Sequence, residues 1–341
     1  MNTNRRDIWI FTVLTLAFTA VLAFSAFAVS AEMLEVTDDF GRNVTLPGVS
    51  ERIISLSPTN TEILFAIGAG DRVIGATDYC NYPAEAEEIP RVGGVSTVSI
   101  EKVVASEPDL VFGCALNSKE TVERLTELNV AVVSLNPVNI QEIQDDIMLV
   151  GRLTGKEENA TALVADMAQR LEAIKARTVD VKRPKVAHIT WHDPLWVAGG
   201  GTVQDELIEL AGGDNVFSDK KEWDTASLEE FIDRNPDVII VSVGHGVAGM
   251  QPYDYILQEE RLKVVNAVKN GRVYTIDADI ASRAGPRIVN ATEIVYECLS
   301  ESVGDTETPT PEPAGFEAVL AVASLLAVLC FTRRKTRRNK I

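Results

Sequence analysis

The chain has 341 residues and carries 32 basic against 50 acidic side chains, a formal net charge of −18. That balance excludes nucleic acid as a partner, because a polyanion is held by neutralising its phosphates with Lys and Arg. With 46% hydrophobic and 24% charged residues the chain buries a real core, so general disorder is excluded as well.

The first 31 residues read as an export element. After Arg5 and Arg6, residues 8–29 carry no charge and end in Ala26-Phe27-Ala28 and then Val29-Ser30-Ala31, small-x-small patterns that a signal peptidase cuts. The run is longer than a usual signal core, so 1–31 is either a cleaved signal peptide or an N-terminal anchor. In both cases the middle of the chain lies outside the membrane. From about Glu32 short β-branched runs alternate with helical patterns, the signature of parallel α/β units. Within 44–138, strands are predicted at 52–56, 72–75, 108–112 and 130–135, with helices at 61–68, 100–106 and 120–128. These form an N-terminal α/β lobe. Residues 139–180 change to a connecting helical segment, interrupted near Thr154-Gly155 and then continuous over 157–177, with Leu163, Met167, Leu171 and Ile174 on an apolar stripe. A C-terminal α/β lobe follows over 181–303, with strands at 185–190, 237–243 and 272–276 and helices at 202–211, 228–234 and 286–299.

The predicted fold class is therefore α/β, two Rossmann-like lobes joined by a single long helix, a clamshell with a helical backbone. Ligands in such folds sit between the lobes, where strand ends and loops converge. Ser106-Glu107-Pro108-Asp109-Leu110-Val111 and Arg234-Asn235-Pro236-Asp237-Val238-Ile239 each set Pro-Asp between a helix end and a buried strand, as two copies of one architecture would. Packing accounts for that repeat without any chemistry. Residues 304–315 include Thr308-Pro309-Thr310-Pro311-Glu312-Pro313, a stiff spacer. In 316–341 an apolar run at 318–331 precedes Arg333, Arg334, Lys335, Arg337, Arg338 and Lys340, a basic end that stays cytoplasmic. The run is short for a permanent span and suits a processed sorting signal. Of the four cysteines, Cys330 falls in this tail. Cys80, Cys114 and Cys298 remain, an odd number that allows at most one disulfide. Cys80 with Cys114 is the pair to test, with buried free thiols as the alternative. No Cys-x-x-Cys spacing points to a zinc ribbon or redox motif.

Arg52-Ile53-Ile54-Ser55-Leu56-Ser57-Pro58-Thr59-Asn60-Thr61-Glu62, Thr77-Asp78-Tyr79-Cys80-Asn81-Tyr82-Pro83, Arg91-Val92-Gly93-Gly94 and Glu107-Pro108-Asp109-Leu110-Val111 resemble the first lobe of class III (cluster A-II) substrate-binding proteins of ABC importers. That family serves vitamin B12, siderophores and haem. Trp196-Val197-Ala198-Gly199-Gly200-Gly201, Glu209-Leu210-Ala211-Gly212-Gly213-Asp214-Asn215-Val216-Phe217 and Ser282-Arg283-Ala284-Gly285-Pro286-Arg287-Ile288 continue the resemblance, which runs from about Val44 to Glu301. It implies two rigid lobes, little hinge motion, no catalysis, and ABC permease and ATPase subunits as partners. It implies no cofactor, the bound molecule being cargo. The cobalamin-binding branch is the most similar, through Ser57-Pro58, Asp78-Tyr79-Cys80-Asn81-Tyr82-Pro83 and Asp279-Ile280-Ala281-Ser282-Arg283-Ala284. This implies a cobalt corrinoid as ligand, with a ferric siderophore or haem as the alternative. On the resemblance Tyr79 stacks on the corrin, Asp279 and Arg283 lie beside it, and Trp191 and Trp196 fall where the family sets rings against the ligand. Val95 and Cys114 stand where that branch can place tryptophans, so the first-lobe side of the pocket is expected to be less aromatic. Glu101 and Glu229, one per lobe and each early in a helix, are expected to dock into arginines of the permease, although the helix dipole alone also favours Glu there. The spacer, Ala314-Gly315-Phe316, the short apolar run and the basic tail resemble the archaeal surface-sorting signal PGF-CTERM, with Ala314 where that pattern has Pro. That resemblance implies tethering to the membrane at the cell surface through the termini.

Flat macrocycles expose large apolar faces, so a site for them needs rings to stack on and a few polar groups at the rim. Tyr79, Trp191 and Trp196 supply rings in a chain with only 6% aromatics, with core packing as the competing reading. Tyr82 is read as a turn-packing residue beside Pro83. Arg283 either pairs with Asp279 across one helical turn or faces the ligand. His188 and His192 share a face of a strand, but they and His245, the remaining histidine, all lie in the second lobe, so no metal clamp between lobes is expected. His192 is read as a rim or axial contact, or as a buried neutral ring. An exported α/β hydrolase using Ser57 is a reading from another class, but it lacks a Gly-x-Ser-x-Gly elbow and a phosphate loop. Setting aside the two ends removes eight basic and two acidic residues, leaving 24 against 48, near −24. Such a surface repels an anionic siderophore at long range unless a local cation such as Arg283 offsets it, whereas a near-neutral corrinoid escapes that penalty.

Overall fold

The structure, a computed structural model, describes residues 33–179, 181–244 and 251–300. The expectations for the two ends, Cys330 and His245 lie outside these residues. A hairpin of β1 (Leu34–Thr37) and β2 (Asn43–Leu46) opens the described chain. Its turn is organised by buried Asp38, which accepts from the backbone N–H groups of Phe40 and Arg42 and pairs with the Arg42 guanidinium.

The first sheet consists of β3 (Ile53–Ser55), β4 (Val73–Ala76), β5 (Leu110–Cys114) and β6 (Val132–Leu135), all parallel, in the order β4-β3-β5-β6. Helices α1 (Pro58–Ala66), α2 (Ile100–Ala105) and α3 (Lys119–Glu127) cover it. The strands are short apolar runs because a parallel sheet is buried on both faces. Helix α1 starts before the expected residue 61, since Pro58 has no N–H to leave unpaired in a first turn and its φ already suits a helix. Ser99 and Ser118 cap α2 and α3 by accepting the N–H groups of Lys102 and Thr121.

Helices α4 (Ile140–Leu153) and the 22-residue α5 (Glu157–Thr178) carry the chain onward. The break falls at Thr154-Gly155, where Gly155 adopts φ +60°, a left-handed turn that costs a residue without Cβ nothing. The two helices cross closely. A Cβ on Gly151 would stand 2.5 Å from the Cβ of Ala160.

The second sheet holds β7 (Lys185–His192), β8 (Leu195–Ala198), β9 (Asp214–Asn215), β10 (Trp223–Ala226), β11 (Val238–Val243) and β12 (Val273–Asp277). Its order is β10-β8-β7-β11-β12, with β9 pairing the start of β7. Strands β7, β11 and β12 run parallel, while β8 and β10 add an antiparallel edge. The helices are α6 (Val203–Leu210), α7 (Leu228–Arg234), α8 (Pro252–Gln258), α9 (Asn266–Lys269), α10 (Ala278–Ala281) and α11 (Ile288–Ser300). No helix among the described residues is long and apolar enough to cross a membrane.

One apolar core runs through both lobes, from Ile53, Leu64 and Phe112 through Ile147 and Met167 of the connecting helices to Val186, Leu207 and Ile288. Two further clusters cover the other faces of the sheets, around Ile54, Val111 and Leu125 and around Ile189, Phe217 and Phe231. Helix α5 is also held to the second lobe by Arg170, which donates to Glu293 at 2.6 Å and to Asn290 at 2.7 Å of α11. Each fully buried Leu, Ile or Phe contributes roughly 1.5–3 kcal/mol, so a core shared across the connection holds the lobes in one relation.

Candidate functional site

The parallel strands of both lobes deliver their C-terminal ends to one region, as open α/β sheets do at ligand sites. From the first lobe the turn after β4 carries Tyr79, whose side chain is 63% exposed. That turn is anchored by the buried Cys80 thiol, within 3.1 Å of Thr61 Oγ1 and 3.2 Å of Thr77 Oγ1. Cys80 and Cys114 are free thiols, and burial raises the pKa of the Cys114 thiol.

From the second lobe the ends of β7, β11 and β12 enclose a cavity of about 80 Å³ lined by Thr190, Trp191, Ser242, Gly244, Gln251, Pro252, Ala278 and Ser282. None of the eight carries a charge. Trp191 Nε1 donates to the Asp193 carbonyl at 3.1 Å, and the His192 ring lies 4.9 Å from Trp191 and 5.0 Å from Tyr255. Trp196 faces Trp191 across the β7–β8 register but is 39% exposed and does not line the cavity. Both tryptophans lie inside strands, beyond the one expected over 185–190, because the antiparallel return of β8 continues β7 past residue 190.

His188 is buried, with Nε2 2.8 Å from Ser242 Oγ, and desolvation lowers its pKa to about 4, so the ring is neutral at pH 7. His192 Nδ1 is buried without a hydrogen-bond partner. Among the described residues no group of three or more His, Cys, Asp or Glu could hold a metal ion. Ser57 is buried at the start of α1, its carbonyl accepting from Ser55 Oγ and Thr61 Oγ1.

Beside the cavity an ionic cluster joins the lobes. Arg283 Nη1 donates to Glu62 Oε1 at 2.7 Å and Asn81 Oδ1 at 2.8 Å, and Nη2 lies 2.8 Å from Asp279 Oδ2. Arg287 donates through Nε and Nη2 to the two oxygens of Glu62, at 2.8 and 2.6 Å. Its guanidinium lies 4.1 Å from the centre of the Tyr82 ring, so Tyr82 is a cation–π partner as well as a turn residue. Burial acts to lower the Arg287 pKa, but the Glu62 carboxylate outweighs it and the pKa ends above the ordinary guanidinium value. Asn81 Nδ2 in turn donates to Asp279 Oδ2 at 3.0 Å.

Tyr79, Asp279 and Arg283 are thus brought together, with Trp191 next to them through Ala278 and Ser282, while Trp196, on β8 between β7 and β10, lies outside the cavity lining. Arg283 makes the pair with Asp279 that its spacing allowed, and a second with Glu62. Glu62, Asn81 and Arg287 were missed as site residues. Glu62 and Arg287 both sit in the resemblance-bearing phrases, but nothing in their local spacing marks them as partners 225 residues apart. Glu101 and Glu229 are exposed in the first turns of α2 and α7, whose caps are Ser99 and Ser227.

The family model described as periplasmic binding protein matches residues 53–280, and the PGF-CTERM motif matches 314–334. The chain is 31% identical over 278 residues to an uncharacterized ABC transporter substrate-binding lipoprotein, YvrC, of Bacillus subtilis (strain 168), covering 79% of this chain and 86% of that protein. It is 31% identical over 256 residues to the vitamin B12-binding protein of Salmonella choleraesuis (strain SC-B67), covering 73% and 90%. The solved periplasmic vitamin B12 binding protein BtuF of Vibrio cholerae is similar with a TM-score of 0.64 at 28% identity, over 73% of this chain and 96% of that one. The periplasmic haem-binding protein BhuT, TM-score 0.68 at 23% identity over 75% and 100%, shares the fold. The motif marks an exported, surface-anchored protein, and the relatives are solute-binding proteins that work with permease and ATPase components. The chain belongs to the periplasmic binding protein family of ABC importers, in its two-lobed class III form.

Proposed function

We propose that the protein is the extracellular component of an ABC importer that captures a cobalt corrinoid, cobalamin or a precursor, between its lobes and delivers it to the permease. It acts without catalysis at the outer face of the cytoplasmic membrane of an archaeal cell, exported by residues 1–31 and tethered through its termini. The lobes correspond to 44–138 and 181–303, linked by 139–180, with 304–315 as spacer and 316–341 as sorting tail. The ligand contacts are Tyr79, Trp191, Trp196, Asp279 and Arg283. The observation that carries the reading is the meeting at the strand ends of exposed Tyr79 from the first lobe with the uncharged, Trp191-edged face of the second, beside an ionic cluster that joins the lobes. The cavity of about 80 Å³ is one corner of that cleft, not a chamber for a whole macrocycle. Similarity to vitamin B12-binding proteins supports it. A haem or ferric-siderophore carrier is the second reading, in keeping with the fold shared with the haem-binding protein BhuT, with His192 beside Trp191 as the rim contact.

Absorption spectra of the purified protein titrated with cyanocobalamin, dicyanocobinamide, ferric siderophores and haem test this. Stoichiometric spectral shifts are expected with a corrinoid, weakened about tenfold by Trp191→Ala on losing a stacking face. Tight binding of a ferric chelate or haem with no response to either corrinoid overturns the first reading.

A further inference from the structure

The Arg283 and Arg287 guanidinium groups are forks of the kind that seat a carboxylate bidentately. In this protein the carboxylate is built in. Glu62, on α1 of the first lobe, takes Arg283 Nη1 at 2.7 Å and both Nε and Nη2 of Arg287 at 2.8 and 2.6 Å. Its side chain is 2% exposed, against 10% and 16% for the arginines. The rest of the Arg283 fork is taken by Asn81 Oδ1, Asp279 Oδ2 and the Tyr79 carbonyl. Among the described residues two carboxylates, Glu62 and Asp279, balance two guanidiniums, and the adjoining cavity has no charged lining residue. An anionic group entering the cleft would therefore have to displace a buried carboxylate and leave it unpaired, which is costly.

Building on the reading that the ligand sits in this cleft, we infer that Glu62 is a specificity-determining residue: it occupies the arginine forks and so excludes ligands bearing carboxylates, leaving the cleft to uncharged macrocycles. Glu62→Gln retains the size of the side chain and removes one negative charge, making the cluster net cationic.

The test uses two flat macrocycles that differ in charge, dicyanocobinamide without net charge and haem with its two propionates, titrated by absorption into the full-length protein and Glu62→Gln. Haem is expected to bind the variant about tenfold more tightly than the unaltered protein, a gain that shrinks with added salt, while dicyanocobinamide affinity stays within about twofold. Unchanged or weaker haem binding by the variant, or a gain that salt does not diminish, overturns the role of Glu62. Should Glu62→Gln not fold, Asp279→Asn removes a charge from the same cluster at a more exposed position, and the same salt-sensitive gain in haem affinity is expected of it, read against haem alone because Asp279 is itself proposed as a ligand contact. If neither protein binds dicyanocobinamide and the variant still gains haem, the role of Glu62 stands and the corrinoid reading falls.

Discussion

Asp146 on α4 is buried with Oδ2 lacking a partner. Desolvation first, then the nearby carboxylates of Asp39, Glu142 and Asp145, raise its pKa from 3.8 to about 8. A folded-state pKa above the unfolded value means a contribution to stability that is complete below about pH 4 and is lost as pH rises through about 8. Asp146→Asn, which cannot ionise, should therefore gain on the parent by about 1–3 kcal/mol at pH 8.5 and by little near pH 4. Urea unfolding of both proteins at the two pH values checks this, and a gain independent of pH would count against it. His188 has the opposite sign, its neutral form losing ground as pH falls from 6.5 toward 4, which the comparison of variant with parent cancels. At this scale the residue types were legible but their surroundings were not. An aspartate in the middle of an amphipathic helix looks like any solvated carboxylate until the neighbouring elements close over it.

At the scale of the element, the parallel strands were plain in the sequence because burial on both faces leaves continuous β-branched runs such as Val238-Ile239-Ile240-Val241. Strands β8 and β10 were not. They are four residues each, partly exposed and antiparallel, and Trp223-Asp224-Thr225-Ala226 has too little alternation to stand out. The break between α4 and α5 was legible through Gly155, whereas the crossing that follows it depends on Gly151 meeting Ala160. Gly151→Val would drive side-chain atoms into that contact and toward the Lys156 carbonyl oxygen, which lies 3.4 Å from where the new Cβ would stand. The expected loss is about 2–3 kcal/mol, since overpacking outweighs the few tenths gained in helix propensity. A lowered urea midpoint is the readout, and an unchanged one would mean that the two helices separate at little cost.

The whole molecule is two sheets on one shared core, so the distance between the exposed Glu101 and Glu229 is set by the rigid body rather than by either lobe. If these two carboxylates dock the protein on its permease, reversing both with Glu101→Arg and Glu229→Arg should cut uptake by the reconstituted importer more than about tenfold. Ligand affinity in solution should stay unchanged, because neither residue lines the cavity. Normal uptake by the double variant would remove the docking role.

The sequence by itself determined the α/β class, the helical connection, the family and the phrases at the strand ends, because periodicity, Pro and Gly act over a few residues. Only the tertiary structure decided that Arg283, four residues from Asp279, also meets Glu62 from 221 residues away, and that Arg287 meets the same carboxylate and the Tyr82 ring. Charges that look independent along the chain become one neutral cluster when the lobes meet. Coulomb energy depends on distance in space and on the water excluded between charges, and neither is written in local spacing.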